Sequence, residues 1–317
     1  MRAMVVDRTS PQNLRIAEVD DPVPGPHEVL ARIAAASLNP GEIAHAQGSR
    51  TIGLRPAPDG TVLGADAAGT VVRAASDGSG PEAGTSVVTM GSSGGWAELR
   101  AVSTSMLGAV PAGADLGAVS TVPVAGLSAL RGLRRIGELL GRRVLVTGAS
   151  GGVGRYAVQL ASLAGAEVVA LSGNRDRHGA SLRALGATDV VSRVEDVKGL
   201  VDGVLDQVGG RHLVEAFDKL SPHGTLVSVG HAAGEDETFP FGLMFGDDGR
   251  HDRSVVTFFL GAHSDFQDDL GWLARQVAAG RLDAGIVWRE DWTQVDDAVA
   301  AMAERRLGGK AVIEICP

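Results

Sequence analysis

The sequence predicts an α/β protein in two parts, a β-rich, barrel-like region and a doubly wound parallel sheet. Three observations predict it. Short apolar stretches separated by Gly- and Pro-rich turns fill the first third of the chain. From about Val119 strand-like and helix-like segments alternate, the pattern of βαβ units on a parallel sheet. Between one such strand and its helix stands a dense glycine turn, Thr147-Gly148-Ala149-Ser150-Gly151-Gly152-Val153-Gly154. A chain of 317 residues is long for one domain, so two are expected. Aromatic residues are only 4% of it, so Val, Leu, Ile and Ala must fill the cores.

The elements follow in order. Ala3–Val6, Leu14–Ala17 and Glu28–Ala36 carry branched or alternating apolar residues and read as strands, as do Thr61–Val72, Ser86–Met90 and Trp96–Ala101. A helix is expected at Val124–Ile136. A buried strand follows at Arg143–Thr147, then a helix at Val153–Leu163, a strand at Val168–Leu171 and a helix at Asp176–Leu185. The alternation continues through Val190–Val191, Gly203–Leu205, His212–Leu220 and Thr225–Val229, and Ser254–Leu260 closes the sheet. In the tail, Phe266–Ala279 and Gln294–Arg305 read as helices, and Ile286–Trp288 and Lys310–Ile315 as strands. Periodicity does not decide whether the tail extends the second part or returns to the first.

Charge and cysteine narrow the function classes. The formal charge is −9 and the basic residues are scattered, which excludes nucleic acid as the main partner. The densest basic pairs, Arg134–Arg135, Arg142–Arg143 and Arg305–Arg306, read as solvated helix ends and surfaces. Cys316 is the only cysteine, so no intramolecular disulfide and no cysteine-based zinc cluster can form. No apolar run suits a signal core or a membrane span, so the expectation is a soluble cytoplasmic protein with no membrane partner.

The glycine turn carries the chemistry. A dinucleotide pyrophosphate needs close backbone approach and free N–H groups at a helix N-terminus, which Ser150, Gly151, Gly152 and Val153 would supply. Gly154 would let the helix pack tightly on the strand. The tip of the next strand selects the cofactor. An acid there would hold the ribose hydroxyls of NAD, but this chain reads Ser172-Gly173-Asn174-Arg175-Asp176-Arg177. A hydroxyl and two guanidinium groups suit a 2′-phosphate, so NADPH is the expected cofactor, with Arg175 or Arg177 making the contact.

Together with these features, several landmarks occur in a fixed order. They are Ser37-Leu38-Asn39-Pro40, Gly64-Ala65-Asp66-Ala67-Ala68-Gly69, Gly94-Gly95-Trp96-Ala97-Glu98 and Pro123-Val124-Ala125-Gly126-Leu127-Ser128-Ala129. After the glycine loop come Leu185-Gly186-Ala187, Asp206-Gln207-Val208-Gly209-Gly210, Gly224–Gly230 and Gly309-Lys310-Ala311-Val312-Ile313. This series resembles the zinc-independent quinone oxidoreductase (zeta-crystallin-like) branch of the medium-chain dehydrogenase/reductases over nearly the whole chain. The resemblance implies a GroES-like catalytic domain at 1–118 and 261–317, with a Rossmann domain at 119–260 between them and the active site at their cleft. It also implies a homodimer.

The resemblance assigns residues as well. Zinc members carry a catalytic Cys where this chain has Asn39 and a Gly-His-Glu where it has Gly64-Ala65-Asp66, and the structural zinc lobe is replaced by Ser92-Ser93-Gly94-Gly95. A zinc site wants about three N, S or O ligands in fixed geometry, so none is expected. Asp66 is then expected to be structural. Asn39 and Glu42 match the family's pocket motif, whose Tyr position is Ala44 here. Tyr156, the only tyrosine, is expected to pack on the Rossmann helix, so no phenol donates the proton. Water or another group must, and His45 is the nearest candidate. Pro123, Val229, Gly230, Phe258, Phe259 and Leu260 would surround the nicotinamide and its ribose, and loops Ala46–Pro58 and Gly242–Asp252 would line the substrate pocket.

Without a Lewis acid, the feasible reaction is hydride delivery from NADPH to an electron-poor acceptor. The expected activity is an NADPH:quinone oxidoreductase or alkenal/enone reductase. The alternatives are a pathway-specific enoyl or enone reductase and a non-enzymatic NADPH-binding redox sensor. A short-chain dehydrogenase fits the glycine loop but needs a Tyr-x-x-x-Lys downstream, and no tyrosine follows Tyr156.

Overall fold

The structure is a computed structural model and describes residues 1–48, 56–246, 249–304 and 306–315. Arg305, Cys316 and parts of both expected substrate loops lie outside the described residues. The chain forms two compact units, Met1–Leu127 with Gly261–Pro317, and Ser128–Leu260. The crossing expected at residue 118 falls at Leu127 instead. The stretch before it is held by the first unit, where the Val124 N–H donates to the Asp66 carboxylate and Gly126 lies against Leu273.

In the first unit, β1 (Arg2–Val6) pairs antiparallel with β2 (Leu14–Glu18). The long strand β3 (Glu28–Leu38) alternates Val29, Ala31 and Ile33 inward, as a half-buried antiparallel strand should. It pairs with β4 (Asp66–Arg73) on one side. Next come β5 (Ser86–Met90), β6 (Leu99–Ser103), which also pairs with β3, and β7 (Leu107–Ala109). Helix α1 (Pro40–Ala46) starts directly after β3, with Asn39 extended at its N-cap and Pro40 in its first turn. One helical turn, α2 (Leu116–Val119), capped by Asp115, precedes a wide turn at Val122–Gly126 that runs into α3 (Leu127–Ile136).

The second unit is a parallel sheet of β8 (Arg143–Val146), β9 (Glu167–Leu171), β10 (Asp189–Val191), β11 (Val201–Asp206), β12 (Leu220–Ser228) and β13 (Ser254–Thr257). Helices α4 (Gly152–Leu163), α5 (Arg175–Ala184) and α6 (Gly210–Asp218) connect its strands. The spatial order is β10-β9-β8-β11-β12-β13. That is the doubly wound order 3-2-1-4-5-6, with its reversal between β8 and β11. The inner strands read as continuous buried runs because helices cover both faces of such a sheet. Leu145, Val169, Val204, Leu213, Phe217 and Leu226 belong to its core.

The tail returns to the first unit. Helix α7 (Gln267–Ala278) packs on β7, with Gly108 against the backbone of Leu270 and Gly271. Strand β14 (Ile286–Asp291), helix α8 (Val295–Ala303) and strand β15 (Lys310–Glu314) follow, and β15 pairs with both β14 and β3. The sheet order β14-β15-β3-β4-β5-β7 therefore mixes strands from both ends of the sequence. Val29, Ile33, Leu63, Trp96, Trp292 and Ile313 share one core. The GroES-like unit and the Rossmann unit implied by the motif series are both present. Among the described residues no helix is long and apolar enough to cross a membrane.

Candidate active site

A buried polar cluster forms where β3, α1, β4 and β15 meet. Asp66 opens β4 with no exposure at all, and four donors satisfy it. Ser37 Oγ donates to its Oδ2 at 2.6 Å, Asn39 Nδ2 at 3.0 Å and Lys310 Nζ at 3.4 Å, while the Val124 N–H donates to its Oδ1 at 2.8 Å. Lys310, 4% exposed, also donates to Asn39 Oδ1 at 2.8 Å and to the Leu38 carbonyl at 3.3 Å. Asn39 Nδ2 donates in addition to Glu42 Oε2 at 2.8 Å, and the Ala65 N–H to Glu42 Oε1 at 2.5 Å.

Electrostatics make Glu42 the unusual member. Burial pushes its carboxyl up to about 7, and the Asp66 charge adds to that. The Ala65 N–H, Asn39 and Lys310 pull the other way. Behind the cluster, Arg100 donates to the carbonyls of Ala65, Gly64 and Ser93 and to Thr89 Oγ1 at 2.8–3.1 Å. Burial draws its guanidinium down to about 10 against the opposing pull of Asp66 and Glu42. Two carboxylates and two cations thus share one interior, which is what burying charge requires.

These residues do not fit zinc. The Asn39 amide is used on both sides, Oδ1 by Lys310 and Nδ2 by the two carboxylates. Ala65 offers no side-chain ligand, and the Lys310 ammonium already supplies a positive charge beside Asp66. A catalytic zinc wants three protein ligands and would have to share this space with that ammonium.

In the second unit the glycine loop follows β8, at the reversal of strand order. Gly148 sits at φ 58°, and the Gly151 N–H closes the turn on the Gly148 carbonyl at 3.0 Å. A Cβ on Gly154 would lie 2.3 Å from the Gly148 oxygen and 2.6 Å from Ala149 Cα, so only glycine allows helix and loop this close. The first amides of α4 have no acceptor within their own helix and point along its N-terminal axis. They fit a pyrophosphate, with Ser150–Val153 as the residues that would hold it. Ser172, buried at the end of β9, donates through Oγ to Ser150 Oγ at 3.3 Å, joining loop and strand tip. Arg175 and Arg177 lie exposed on the first turn of α5, which Asn174 caps through the Arg177 N–H.

Asp206, at the end of β11, ties these strand ends together. Its carboxylate accepts from Thr147 Oγ1 at 2.6 Å and the Gly209 N–H at 2.9 Å, and its carbonyl from the Val229 N–H at 2.7 Å and the Gly230 N–H at 3.3 Å. Burial raises its carboxyl above the usual range, and the Thr147 hydroxyl opposes that. Gln207 donates to the Thr147 carbonyl at 2.9 Å, so the glycine loop has a second anchor.

The predicted residues therefore fall into two groups. Asn39, Glu42 and the Pro123–Val124 turn come together around Asp66. Ser150–Val153, Ser172, Val229 and Gly230 come together at the carboxyl ends of β8, β9, β11 and β12. Phe258 and Leu260 are buried, and the Arg135 guanidinium lies 4.4 Å over the Phe258 ring, whereas Phe259 is 62% exposed. Tyr156 is buried on α4 and His45 is half-buried on α1. Reading residue by residue missed the roles of Lys310, Arg100 and Ser37. One signal was present: Lys310 and Arg100 are cations inside apolar strands, where a charge is costly unless paired.

Comparison with known proteins agrees with this architecture. Residues 25–112 match the family described as the alcohol dehydrogenase GroES-like domain, and residues 152–275 the family described as zinc-binding dehydrogenase. Prostaglandin reductase-3 of Mus musculus is 30% identical over 249 residues, 74% of this chain but 64% of that protein, less than two thirds of its length. A chloroplast envelope quinone oxidoreductase homolog of Arabidopsis thaliana is 36% identical over 188 residues, 56% of each chain. Acryloyl-coenzyme A reductase of Sulfurisphaera tokodaii is 27% identical across 99% of this chain and all of its own. The solved structure of a thermostable alcohol dehydrogenase from Pyrobaculum aerophilum superposes with a TM-score of 0.84 at 26% identity, covering 99% of both chains. With both domain families matched in order and the whole fold shared, the chain belongs to the medium-chain dehydrogenase/reductase superfamily of nicotinamide-dependent oxidoreductases.

Proposed function

We infer that the chain is an NADPH-dependent reductase that delivers hydride, without zinc, to a quinone or an α,β-unsaturated carbonyl. The observation that carries this reading is the donor set around Asp66. Where zinc relatives offer a thiolate and an imidazole, this chain offers a hydrogen-bonded amide, a methyl group and an internal ammonium. Such a site offers an alkoxide no Lewis-acidic metal, which favours acceptors that are already electron-poor. The prostaglandin and acryloyl-coenzyme A reductases among its relatives support an unsaturated carbonyl, and the quinone oxidoreductase homolog supports a quinone.

NADPH supplies the hydride when bound. Ser150–Val153 hold its pyrophosphate through backbone amides, and Ser172 with Arg175 or Arg177 holds the 2′-phosphate by charge-assisted hydrogen bonds. Within the nucleotide-binding unit, Val229, Gly230 and the backbone of Phe258–Leu260 would flank the nicotinamide. Asn39 orients Glu42, whose carboxyl keeps a proton to about pH 7. Hydride addition to an enone would leave an enolate, and we assign its protonation to Glu42, since Ala44 carries no phenol. The active form is a homodimer in the cytoplasm.

Turnover of chelator-treated protein with NADPH and NADH tests this, using quinones, 2-alkenals, cyclic enones and acryloyl-coenzyme A. NADPH is expected to be consumed with at least one class, unaffected by added zinc. Changing Arg175 and Arg177 together to Ala is expected to raise KM for NADPH roughly tenfold or more and to leave NADH within a few-fold, the loss of one or two charge-assisted bonds. Zinc-dependent turnover overturns the proposal. Tight NADPH binding with no turnover on any acceptor favours a redox sensor instead.

A further inference from the structure

Two histidines and a carboxylate that the proposed reaction does not use converge on the surface of the nucleotide-binding unit. Strand β12 bulges between its pairings at Leu220 and Thr225, and His223 stands on that bulge with a left-handed backbone at φ 63°. His251 and Asp252 lie on the segment leading into the edge strand β13, and Asp252 is left-handed too, at φ 57°. His251 Nδ1 is 3.1 Å and His223 Nδ1 3.6 Å from the same oxygen, Asp252 Oδ2. The three candidate ligand atoms all lie within 4.8 Å of one another, and the two rings meet edge to face at 5.2 Å.

The backbone that carries these groups is braced. The His223 N–H donates to the His251 carbonyl at 3.2 Å. Arg253 donates to the carbonyls of Arg250, Phe217 and Leu243 at 2.7–3.1 Å and stacks its guanidinium 4.4 Å over the Phe217 ring. The nearby Arg250 charge is paired with Asp218 at 3.0 Å. Two non-glycine residues in left-handed backbone within one triad are uncommon, and each one sets the direction of a candidate ligand.

We propose that His223, His251 and Asp252 form a divalent-metal site for zinc or a similar borderline ion, with water completing the shell. A tetrahedral ion with bonds of about 2.0–2.1 Å holds its ligand atoms about 3.3 Å apart. The two edges to Asp252 Oδ2, 3.1 and 3.6 Å, bracket that value, and the edge between the imidazoles is within 4.8 Å. Two imidazoles and one carboxylate are a ligand set for zinc, copper or nickel rather than calcium or magnesium. A bound ion would fasten the 249–253 segment to the β12 bulge and so order the approach to β13. Metal in purified protein would then sit here and not beside Asn39, so zinc content would be no sign of zinc catalysis. The site does not depend on the proposed reaction.

The test titrates Zn2+ into chelator-stripped full-length protein against a chromophoric chelator, with elemental analysis and a melting curve. One Zn2+ per chain and a melting temperature higher by a few degrees are expected. His251→Gln and Asp252→Asn should each weaken binding at least about tenfold, since loss of even an outer-sphere partner costs about that much. His223→Asn should do the same while keeping a residue that tolerates left-handed backbone. The double variant His223→Asn with His251→Gln should bind none. Cobalt(II) should show tetrahedral visible absorption in the parent protein and lose it in each variant. No uptake by the parent protein, or equal uptake by the double variant, overturns the proposal.

Discussion

Glu42 is a carboxyl group whose environment holds it well away from its intrinsic chemistry. It shares the interior with Asp66, while the Ala65 amide, Asn39 and the more distant Lys310 favour its charge. The unfolded chain releases this proton near 4.5, whereas the folded chain keeps it to about 7. Between those values the folded state binds the extra proton. Glu42 therefore contributes stability below about 4.5 that is lost as pH rises through about 7. If the same proton is returned to the substrate, kcat for a neutral enone falls above about pH 7. Glu42→Gln is expected to lower kcat by roughly 10²-fold, the usual worth of a positioned acid, and to remove both the kinetic limb and the stability slope. An unchanged pH–rate profile in Glu42→Gln would take the proton away from this residue.

At the scale of elements, what could be read from the sequence was what is local. The glycine loop and the βαβ order need only neighbouring residues, and each appears where expected. Boundaries shifted where a distant partner intervened. The strand expected over Thr61–Val72 starts only at Asp66, because Gly64 turns at φ 108°, a Cβ there would lie 2.4 Å from the Trp96 amide, and only Val62 bridges to β1. The helix expected at Val124 opens instead as a wide turn at Val122–Gly126, and its free Val124 N–H is met by Asp66, far away in sequence. The strand expected to reach Leu260 stops at Thr257, after which Phe258 turns inward under Arg135. The glycine loop also separates two effects. Gly154→Ala gains up to about 1 kcal/mol in helix propensity but forces backbone apart, an overpacking cost of about 1–3 kcal/mol. Net destabilisation in urea and a KM for NADPH raised roughly tenfold or more are expected. Gly151→Ala meets the Gly148 oxygen only at 3.4 Å, so it should keep stability and raise KM alone. Equal stability loss in both variants would contradict this account.

For the whole molecule, the candidate site was the least legible feature, because it is assembled by chain return. Asn39, Glu42, Asp66, Arg100 and Lys310 come from three strands and from a helix with its N-cap, and no sequence window contains them. Asp66 read as structural for want of a metal, and it is the acceptor shared by Ser37, Asn39, Lys310 and the Val124 amide. Lys310 joins it across 244 residues and Asn39 across 271. Lys310→Met should therefore act as a defect of the whole first unit. It leaves a buried carboxylate without its adjacent cation, which costs about 3 kcal/mol, while the core around Leu145 and Val204 is untouched. The aromatic residues provide the means to see this. Trp96, Trp272, Trp288 and Trp292 all lie in the first unit, and the only tyrosine, Tyr156, lies in the second. Tryptophan fluorescence then follows one unit and far-ultraviolet circular dichroism follows both. Lys310→Met is expected to move the fluorescence midpoint to lower urea and to leave part of the dichroism amplitude at the parent midpoint. A fluorescence midpoint equal to the parent's would mean that the tail closes the sheet through β15 pairing alone, with the ammonium contributing nothing to it.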